Sequence, residues 1–149
     1  MEEFKLENSI NHTIVQASIL LRRQLFALFK KNSIDITPEQ WVVLYFLWQN
    51  DGSSLGEISQ KTQKDNANTT RIVNRMEAQG LVKRVIKEDD KRFFYLYLTE
   101  YAKRIKLGVY NSILKSTEIC STGLNEEEQR TFLCLLNKII NNMESYKGL

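Results

Sequence analysis

The 149-residue chain has few of the residues that punctuate a fold or build a specialised site: six glycines, one proline, two cysteines and one histidine. A sheet-rich fold of this size is excluded, because its hairpin turns and bulges draw on glycine at positive φ. Two cysteines are too few for a disulfide scaffold. The hydrophobic share of 42% is enough for a buried core, which excludes a disordered chain. The composition therefore predicts one compact, mainly helical domain.

Long hydrophobic runs are also lacking. The longest, Trp41 to Trp48, has eight residues, whereas a membrane-spanning helix needs about 20. The first residues, Met1 to Lys5, are acidic where a secretory signal is basic and then apolar. These features predict a chain that does not contact a membrane and that is located in the cytoplasm.

Motifs of the common enzyme classes are missing from the sequence. There is no glycine-rich phosphate loop and no nucleophile elbow. The adjacent carboxylates Asp89 and Asp90 fall on a hairpin tip, where nothing would perturb their pKa values. The lone His12 cannot form a metal site without other ligands. We therefore predict no enzyme activity, no cofactor and no metal, and we interpret Cys120 and Cys134 as buried thiols.

Positive charge is concentrated in the middle of the chain. The net charge is only +3, but residues 60–106 contain 12 Lys or Arg against 6 Asp or Glu. Phosphate contacts need local positive charge rather than a high total. A nucleic-acid-facing segment would have this pattern, and so would an ordinary solvated basic face.

Apolar periodicity and capping signals predict four helices before residue 80. Residues 10–29 form the first, because apolar side chains recur there at steps of three and four. Thr37 to Gln40 is a capping box with proline in the first turn, and it opens a buried helix to about Gln49. Ser54 and Glu57 form a second capping box, which opens a short helix to about Thr62.

The fourth predicted helix begins after the cap Asp65 and ends at Gln79, where Gly80 supplies a left-handed stop. Its spacing separates an apolar face from a polar, basic face. The inner face comprises Thr69, Ile72, Val73 and Met76, and the outer face comprises Asn68, Arg71, Asn74 and Arg75.

After Gly80 the period of the sequence changes from 3.6 to 2. Residues 81–87 and 92–98 read as two strands joined by a charged tip at 88–91. Thr99 caps a further helix, and Asn125 begins the last one with three carboxylates in its first turn. The predicted fold class is therefore mainly α with a small β-hairpin.

The predicted elements match a winged helix-turn-helix. Two short helices are joined by a brief turn, the second helix is basic on its outer face, and a hairpin with a charged tip follows. The chain resembles the MarR-type transcription regulators. Residues that carry the resemblance are Thr37 to Trp41, Thr70 to Arg84, Asp90 to Arg92 and Leu98–Thr99. It departs from the family at Lys64, usually an apolar residue, and at Ala102, commonly glycine.

The resemblance implies one protomer over residues 1–149, with the winged helix-turn-helix at 37–99 and dimerisation helices at 1–34 and 100–149. It also implies a homodimeric regulator, a repressor relieved by a ligand, that reads a pseudo-palindromic operator in double-stranded DNA. The helix 65–79 would lie in the major groove and the hairpin tip in the adjacent minor groove.

Candidate DNA-contacting residues lie in these two elements. Arg71 and Arg75 suit guanine edges or phosphates, and Asn68 and Asn74 suit adenine edges or phosphates. The family's Asp-x-Arg wing motif falls on Asp90 and Arg92. In the family, the arginine of this motif enters the minor groove and the aspartate holds a neighbouring basic side chain. The remaining candidates, expected to position the DNA backbone, are Lys64, Asn66, Thr70, Lys87 and Lys91.

The family further implies a small-molecule pocket between the first helix, the second helix and the helix after the wing. Candidates to bind a small aromatic or phenolic effector there are Arg23, Phe26, Trp48 and Tyr101. Core packing explains most of these side chains equally well. Two other functions stay open: a winged-helix module that binds acidic proteins, and a thiol-based redox sensor, although redox-sensing relatives generally use a cysteine near the N-terminus, which this chain lacks.

Overall fold

The computed structural model describes residues 5–87 and 90–146; the side chains of residue 7 and of residues 87–93 lie outside this description. A 3-10 turn, Leu6–Asn8, precedes the first helix. The helices are α1 (Ile10–Lys31), α2 (Pro38–Gln49), α3 (Leu55–Thr62), α4 (Asn66–Ala78), α5 (Glu100–Arg104), α6 (Lys106–Cys120) and α7 (Glu126–Ser145). The strands are β1 (Ser53–Ser54), β2 (Val82–Lys87) and β3 (Asp90–Leu98).

The predicted fold class is confirmed, and the predicted helix starts are in place. Capping boxes close at Thr37 with Gln40, at Ser54 with Glu57 and at Asn125 with Glu128. In each box the N-cap side chain accepts a backbone N–H and the residue three positions on returns a hydrogen bond, which satisfies donors that a helix start leaves free. Among the helices that the structure describes, none is both long and apolar enough to cross a membrane.

The small sheet has a third strand that the sequence did not predict. Its order is β1-β3-β2, with Ser53 opposite Leu96 in β1–β3 and Val82 opposite Leu98 in β2–β3. Gly52 leads into β1 at a φ of 83°, and a Cβ there would lie 2.8 Å from the Tyr97 ring. A two-residue strand is too short to show a period, so only tertiary pairing reveals it.

The single helix predicted after Thr99 is divided into α5 and α6. Thr99 caps α5 by accepting the backbone N–H of Ala102 at 3.2 Å. Ile105 stands between the two helices, and its N–H donates to the Tyr101 carbonyl at 3.1 Å. The prediction was therefore right about the start of this segment and wrong about its continuity.

The chain divides into two compact units, residues 1–116 and 117–149. The first contains a hydrophobic core to which α1, α2, α3, α4 and the sheet all contribute. Fully buried members of this core include Phe29, Val43, Leu44, Leu47, Ile58, Val73, Met76, Leu81 and Leu96. Helix α2 supplies buried residues along most of its length, as its nearly continuous apolar sequence predicts.

The second unit contains α7, which has no buried residue. Cys120 and Cys134 are both exposed, so the prediction of buried thiols was wrong. Cys120 is the last residue of α6, and Cys134 lies on α7 among exposed leucines. The apolar periodicity of α7 was read correctly, but periodicity does not reveal whether a face is covered within one chain.

A buried glutamine connects the start of α2 with the end of α4. Gln40 is 3% exposed; its Oε1 accepts the Thr37 N–H at 2.8 Å and its Nε2 donates to Gln79 Oε1 at 2.5 Å. Gln79 is the C-cap residue of α4 and donates in turn to the Asp35 carbonyl at 3.3 Å. This chain of hydrogen bonds fixes the end of α4 against the loop before α2.

Replacing Gln40 by alanine tests this connection. We expect Gln40→Ala to lower the free energy of unfolding by about 1–3 kcal/mol, because buried hydrogen-bonding partners are left unpaired. Urea unfolding followed by circular dichroism measures the change. Gln60→Ala, on an exposed position of α3, is the matched control and should change stability by less than about 0.5 kcal/mol. Equal effects of the two substitutions would contradict this role.

Candidate nucleic-acid interface

Helices α3 and α4 are joined by a tight turn at residues 63–65. Gln63 adopts a left-handed conformation with a φ of 52°, and the backbone N–H of Lys64 donates to the Ser59 carbonyl at 3.1 Å. A non-glycine residue seldom adopts this conformation, and it ends α3 sharply. The turn thus sets the direction in which α4 leaves α3, as in a helix-turn-helix.

Asp65 holds the first turn of α4 with both carboxylate oxygens. Oδ1 accepts the backbone N–H of Asn68 at 2.7 Å, and Oδ2 accepts the side-chain Nδ2 of Asn68 at 2.6 Å. The donation from the Asn68 backbone is the largest cause that lowers the pKa of Asp65 below its ordinary value of 3.8. The predicted cap is confirmed, and it also immobilises a candidate DNA-contacting side chain.

The two faces of α4 are divided as the sequence predicts. Thr69, Val73 and Met76 are fully buried, and Ile72 packs partly buried against the core. The outward-facing members are all exposed: Asn68, Arg71, Asn74 and Arg75. Among the residues that the structure describes, Arg71 and Arg75 have no acidic partner at ion-pair distance. Their charges are therefore available to an external anion.

Three further candidates lie at or near the start of α4. Asn66 is exposed, and its carbonyl accepts the Thr70 hydroxyl at 2.7 Å. Lys64 is half-buried near Glu39. Burial alone would raise the pKa of Glu39, but hydrogen bonds and the charges of Arg22 and Lys64 outweigh it and hold that pKa below 4.5. Lys64 therefore lies in the turn between α3 and α4 and also has an acidic neighbour within the chain, Glu39.

The wing candidates fall at the tip of the hairpin. Lys87 ends β2 and Asp90 begins β3, and Lys91 and Arg92 follow in that strand. Their side chains lie outside the described residues, as do Glu88 and Asp89 altogether. The two strands place the backbone of these residues at one end of the sheet. Residues 82–86 of β2, which precede this end in the sequence, pair with residues of β3.

Arg84 in β2 is a residue of this site that the sequence analysis missed. Its Nη1 donates to Glu77 Oε2 at 2.5 Å, and its Nη2 donates to Asn74 Oδ1 at 2.5 Å. The guanidinium also lies 4.7 Å from the centroid of the Phe94 ring. Arg84 therefore links α4 to both strands of the hairpin. The period-2 pattern predicted that Arg84 lies on a strand. Its partners Asn74 and Glu77 are ten and seven residues away in the sequence, so no local pattern predicts these contacts.

The four effector candidates are placed on α1, α2 and α5. Arg23 and Phe26 are exposed on α1, and Lys30 Nζ lies 5.5 Å above the Phe26 ring. Trp48 is half-buried, and its Nε1 donates to the Ala102 carbonyl at 3.3 Å. Tyr101 packs partly buried against the core. Trp48 and Tyr101 thus pack against the core, whereas Arg23 and Phe26 are exposed on α1.

The titration of Asp65 gives a pH test of the α4 cap. Because its folded-state pKa is lowered, the charged carboxylate stabilises the fold above pH 3.8 and this contribution is lost as the pH falls through the folded-state value. Asp65→Asn keeps a capping oxygen but removes the charge. We expect urea unfolding to show wild-type protein more stable than the variant near neutral pH, with the gap closing below pH 3.8. A gap that is independent of pH would contradict the assignment.

The comparisons with known proteins agree with this geometry. The sequence profile of the MarR family matches residues 36–93. The helix-turn-helix-type transcriptional regulator YfiV of Bacillus subtilis (strain 168) is 31% identical to this chain over 115 residues. The match covers 73% of this chain and 70% of that protein. Both the profile and this relative support the resemblance seen in the sequence.

Two solved structures share the fold. The PcaV transcriptional regulator of Streptomyces coelicolor, solved with its natural ligand, has a TM-score of 0.81 and 20% identity, and the match covers 95% of this chain and 98% of that one. The transcriptional repressor CouR, bound to a 23-mer DNA duplex, has a TM-score of 0.77 and 21% identity, covering 94% of this chain and 99% of that one. All of these relatives are transcriptional regulators, which are not enzymes. The chain therefore belongs to the MarR family of transcriptional regulators, and α3, α4 and the β2–β3 hairpin form its DNA-binding winged helix-turn-helix.

Proposed function

We propose that the chain is a homodimeric, sequence-specific repressor that reads a pseudo-palindromic DNA operator and is released from it by a small aromatic or phenolic effector. The observation that carries the proposal is the exposed outer face of α4, where Arg71 and Arg75 lie beside two asparagines and, within the part of the chain that the structure describes, have no acidic partner at ion-pair distance. Arginine and asparagine are the side chains that most often read base edges in a major groove. Because its partner is chromosomal DNA, the protein acts in the cytoplasm.

Support for a dimer comes from apolar side chains left uncovered in each unit. In the first unit, α1 exposes Ile10, Val15 and Ile19 at 64%, 57% and 59%. In the second unit, α7 exposes Phe132, Leu133, Leu135, Ile140 and Met143. Several large apolar side chains exposed on one helix favour a protein–protein interface. Two copies would present two recognition helices to half-sites about one helical turn apart, roughly 34 Å.

Release by an effector requires no chemistry. A ligand that binds better to a dimer whose two α4 helices are wrongly spaced shifts the population away from the DNA-binding form. The relative PcaV was solved with its natural ligand, which supports a ligand response here. The residues that we propose to line the effector site are Arg23, Phe26, Trp48 and Tyr101.

The proposed reading face predicts different effects for two basic residues. Arg71→Ala should cost about tenfold in affinity for the best operator and remove the preference at one base pair, because a base contact is lost. Lys91→Ala should weaken all sequences alike and lower the slope of log affinity against log salt by about one, because a phosphate contact is lost. Fluorescence anisotropy with labelled duplexes at several salt concentrations measures both.

The matched control for these substitutions is Arg130→Ala, which removes a positive charge from α7, where Arg130 pairs with Glu126. Its affinity for DNA should equal that of the wild type. If Arg71→Ala and Lys91→Ala leave DNA binding unchanged, the reading face is assigned wrongly, and a module that binds acidic proteins becomes the better interpretation.

The proposed dimer predicts a mass in solution of twice the 17.5 kDa chain. Ile140→Glu places a charge on the exposed apolar face of α7 and should shift the protein to the monomer mass in sedimentation equilibrium, with loss of operator binding. Asn141→Glu puts the same charge on the polar side of α7, near Asn137 and Lys138, and should leave both properties intact. A wild-type protein that sediments as a monomer would contradict the proposal.

A further inference from the structure

We infer that Asp65 and Arg84 turn the Asn68 and Asn74 amides in opposite senses, so that Asn68 presents its oxygen to DNA and Asn74 presents both of its N–H donors. The inference rests on the proposed function and deepens it by saying what kind of base edge each residue reads. Both residues are exposed on the outer face of α4.

The orientation of the Asn68 amide is fixed by Asp65. Its Nδ2 donates to Asp65 Oδ2 at 2.6 Å, while its backbone N–H donates to Oδ1 at 2.7 Å. An ionised carboxylate has only acceptors, so the atom of the amide that faces it must be the nitrogen. The carbonyl oxygen Oδ1 is thus turned away from Asp65 and is left for DNA together with the second Nδ2 hydrogen.

The orientation of the Asn74 amide is fixed in the opposite sense by Arg84. Arg84 Nη2 donates to Asn74 Oδ1 at 2.5 Å. A guanidinium has five donors and no acceptor, so the atom that faces it must be the oxygen. The amide nitrogen, with two donor hydrogens, is thus turned away from Arg84 and is left for DNA together with the second lone pair of Oδ1.

Arg84 is itself held firmly enough to impose this orientation. Its other terminal nitrogen pairs with Glu77 Oε2 at 2.5 Å, and its guanidinium stacks 4.7 Å from the Phe94 ring centroid. The Arg84 side chain is 25% exposed. A planar fork already held by Glu77 and Phe94 loses little further freedom when it binds Asn74. Arg84 is therefore a positioning residue for the reading face.

The consequence is a difference in the bases that the two residues favour. The Asn68 oxygen accepts from the amino group of adenine or cytosine, and it repels phosphate. Both N–H donors of Asn74 suit guanine O6 or N7, thymine O4 or a phosphate oxygen. The usual asparagine–adenine pair uses one N–H and the oxygen of the same amide, so each residue can form it only in the orientation that its internal partner sets.

The test uses an operator enriched from random duplexes by the full-length wild-type chain. Affinities are measured for every single base-pair change with wild type, Asn68→Ala and Asn74→Ala. At the base pair whose changes no longer matter in Asn68→Ala, removal of the major-groove amino group should cost the wild type about tenfold in affinity and Asn68→Ala nothing. Purine in place of adenine, or pyrimidin-2-one in place of cytosine, removes that group.

Releasing each amide gives the second arm of the test. Arg84→Met frees Asn74 and should change the base preference of the wild-type protein, but it should change no base preference in an Asn74→Ala background. Asp65→Ser frees the Asn68 amide while keeping a capping hydroxyl. It should likewise change the base preference of the wild-type protein but change none in an Asn68→Ala background. This variant tests the inference if Arg84→Met does not fold. Lys103→Met, which removes a lysine that pairs with Glu100 on α5, controls for the loss of one charge and should leave base preference unchanged.

Several results would overturn the inference. They are a uniform loss of affinity for all sequences in Asn68→Ala, no effect of Asn68→Ala at all, or a folded Arg84→Met protein with unaltered base preference. Each of these leaves the proposed function standing, since wild type still selects an operator. If wild-type protein enriches no DNA sequence, the proposed function fails and the inference fails with it.

Discussion

Burial of one face of α4 is the constraint on which the remaining structure depends. Thr69, Val73 and Met76 are fully buried, and burial of the two apolar side chains, Val73 and Met76, stabilises the fold by about 1.5–3 kcal/mol each. A helix with one face fixed in the core has no freedom to turn about its axis. The opposite face, with its arginines and asparagines, is therefore held outward in one orientation, which pre-organises it for a groove without any contact to DNA.

The ends of α4 are held by polar contacts that complement this packing. Asp65 satisfies donors at the start, Gln40 and Gln79 fix the end, and Arg84 ties the middle to the hairpin. These contacts join α4 to the loop before α2 and to the sheet. A shift of α2 or of the hairpin would therefore move the outer face of α4. In the proposed dimer, effector binding would change the spacing of the two α4 helices by this route.

Much of this architecture could be predicted from local sequence, and the reason is that helix starts are local. Thr37 with Gln40, Ser54 with Glu57, and Asp65 each act within four residues, and each was predicted and confirmed. The inner and outer faces of α4 follow from the 3.6 period alone. What was missed depends on residues distant in sequence: the short strand at Ser53, which pairs with Leu96, and Arg84, whose partners lie on α4 and β3. The exposure of Cys120 and Cys134 was missed for a related reason, since the apolar spacing around them does not say whether the same chain covers that face.

The central claim is that two copies of the outer face of α4 read DNA as a symmetric pair. Selection of binding sequences from a pool of random duplexes by the purified wild-type protein tests it most directly. The account predicts enrichment of an inverted repeat whose half-sites are centred about one helical turn apart. Enrichment of a single unrepeated site, or recovery of the starting pool without any preferred sequence, would contradict it.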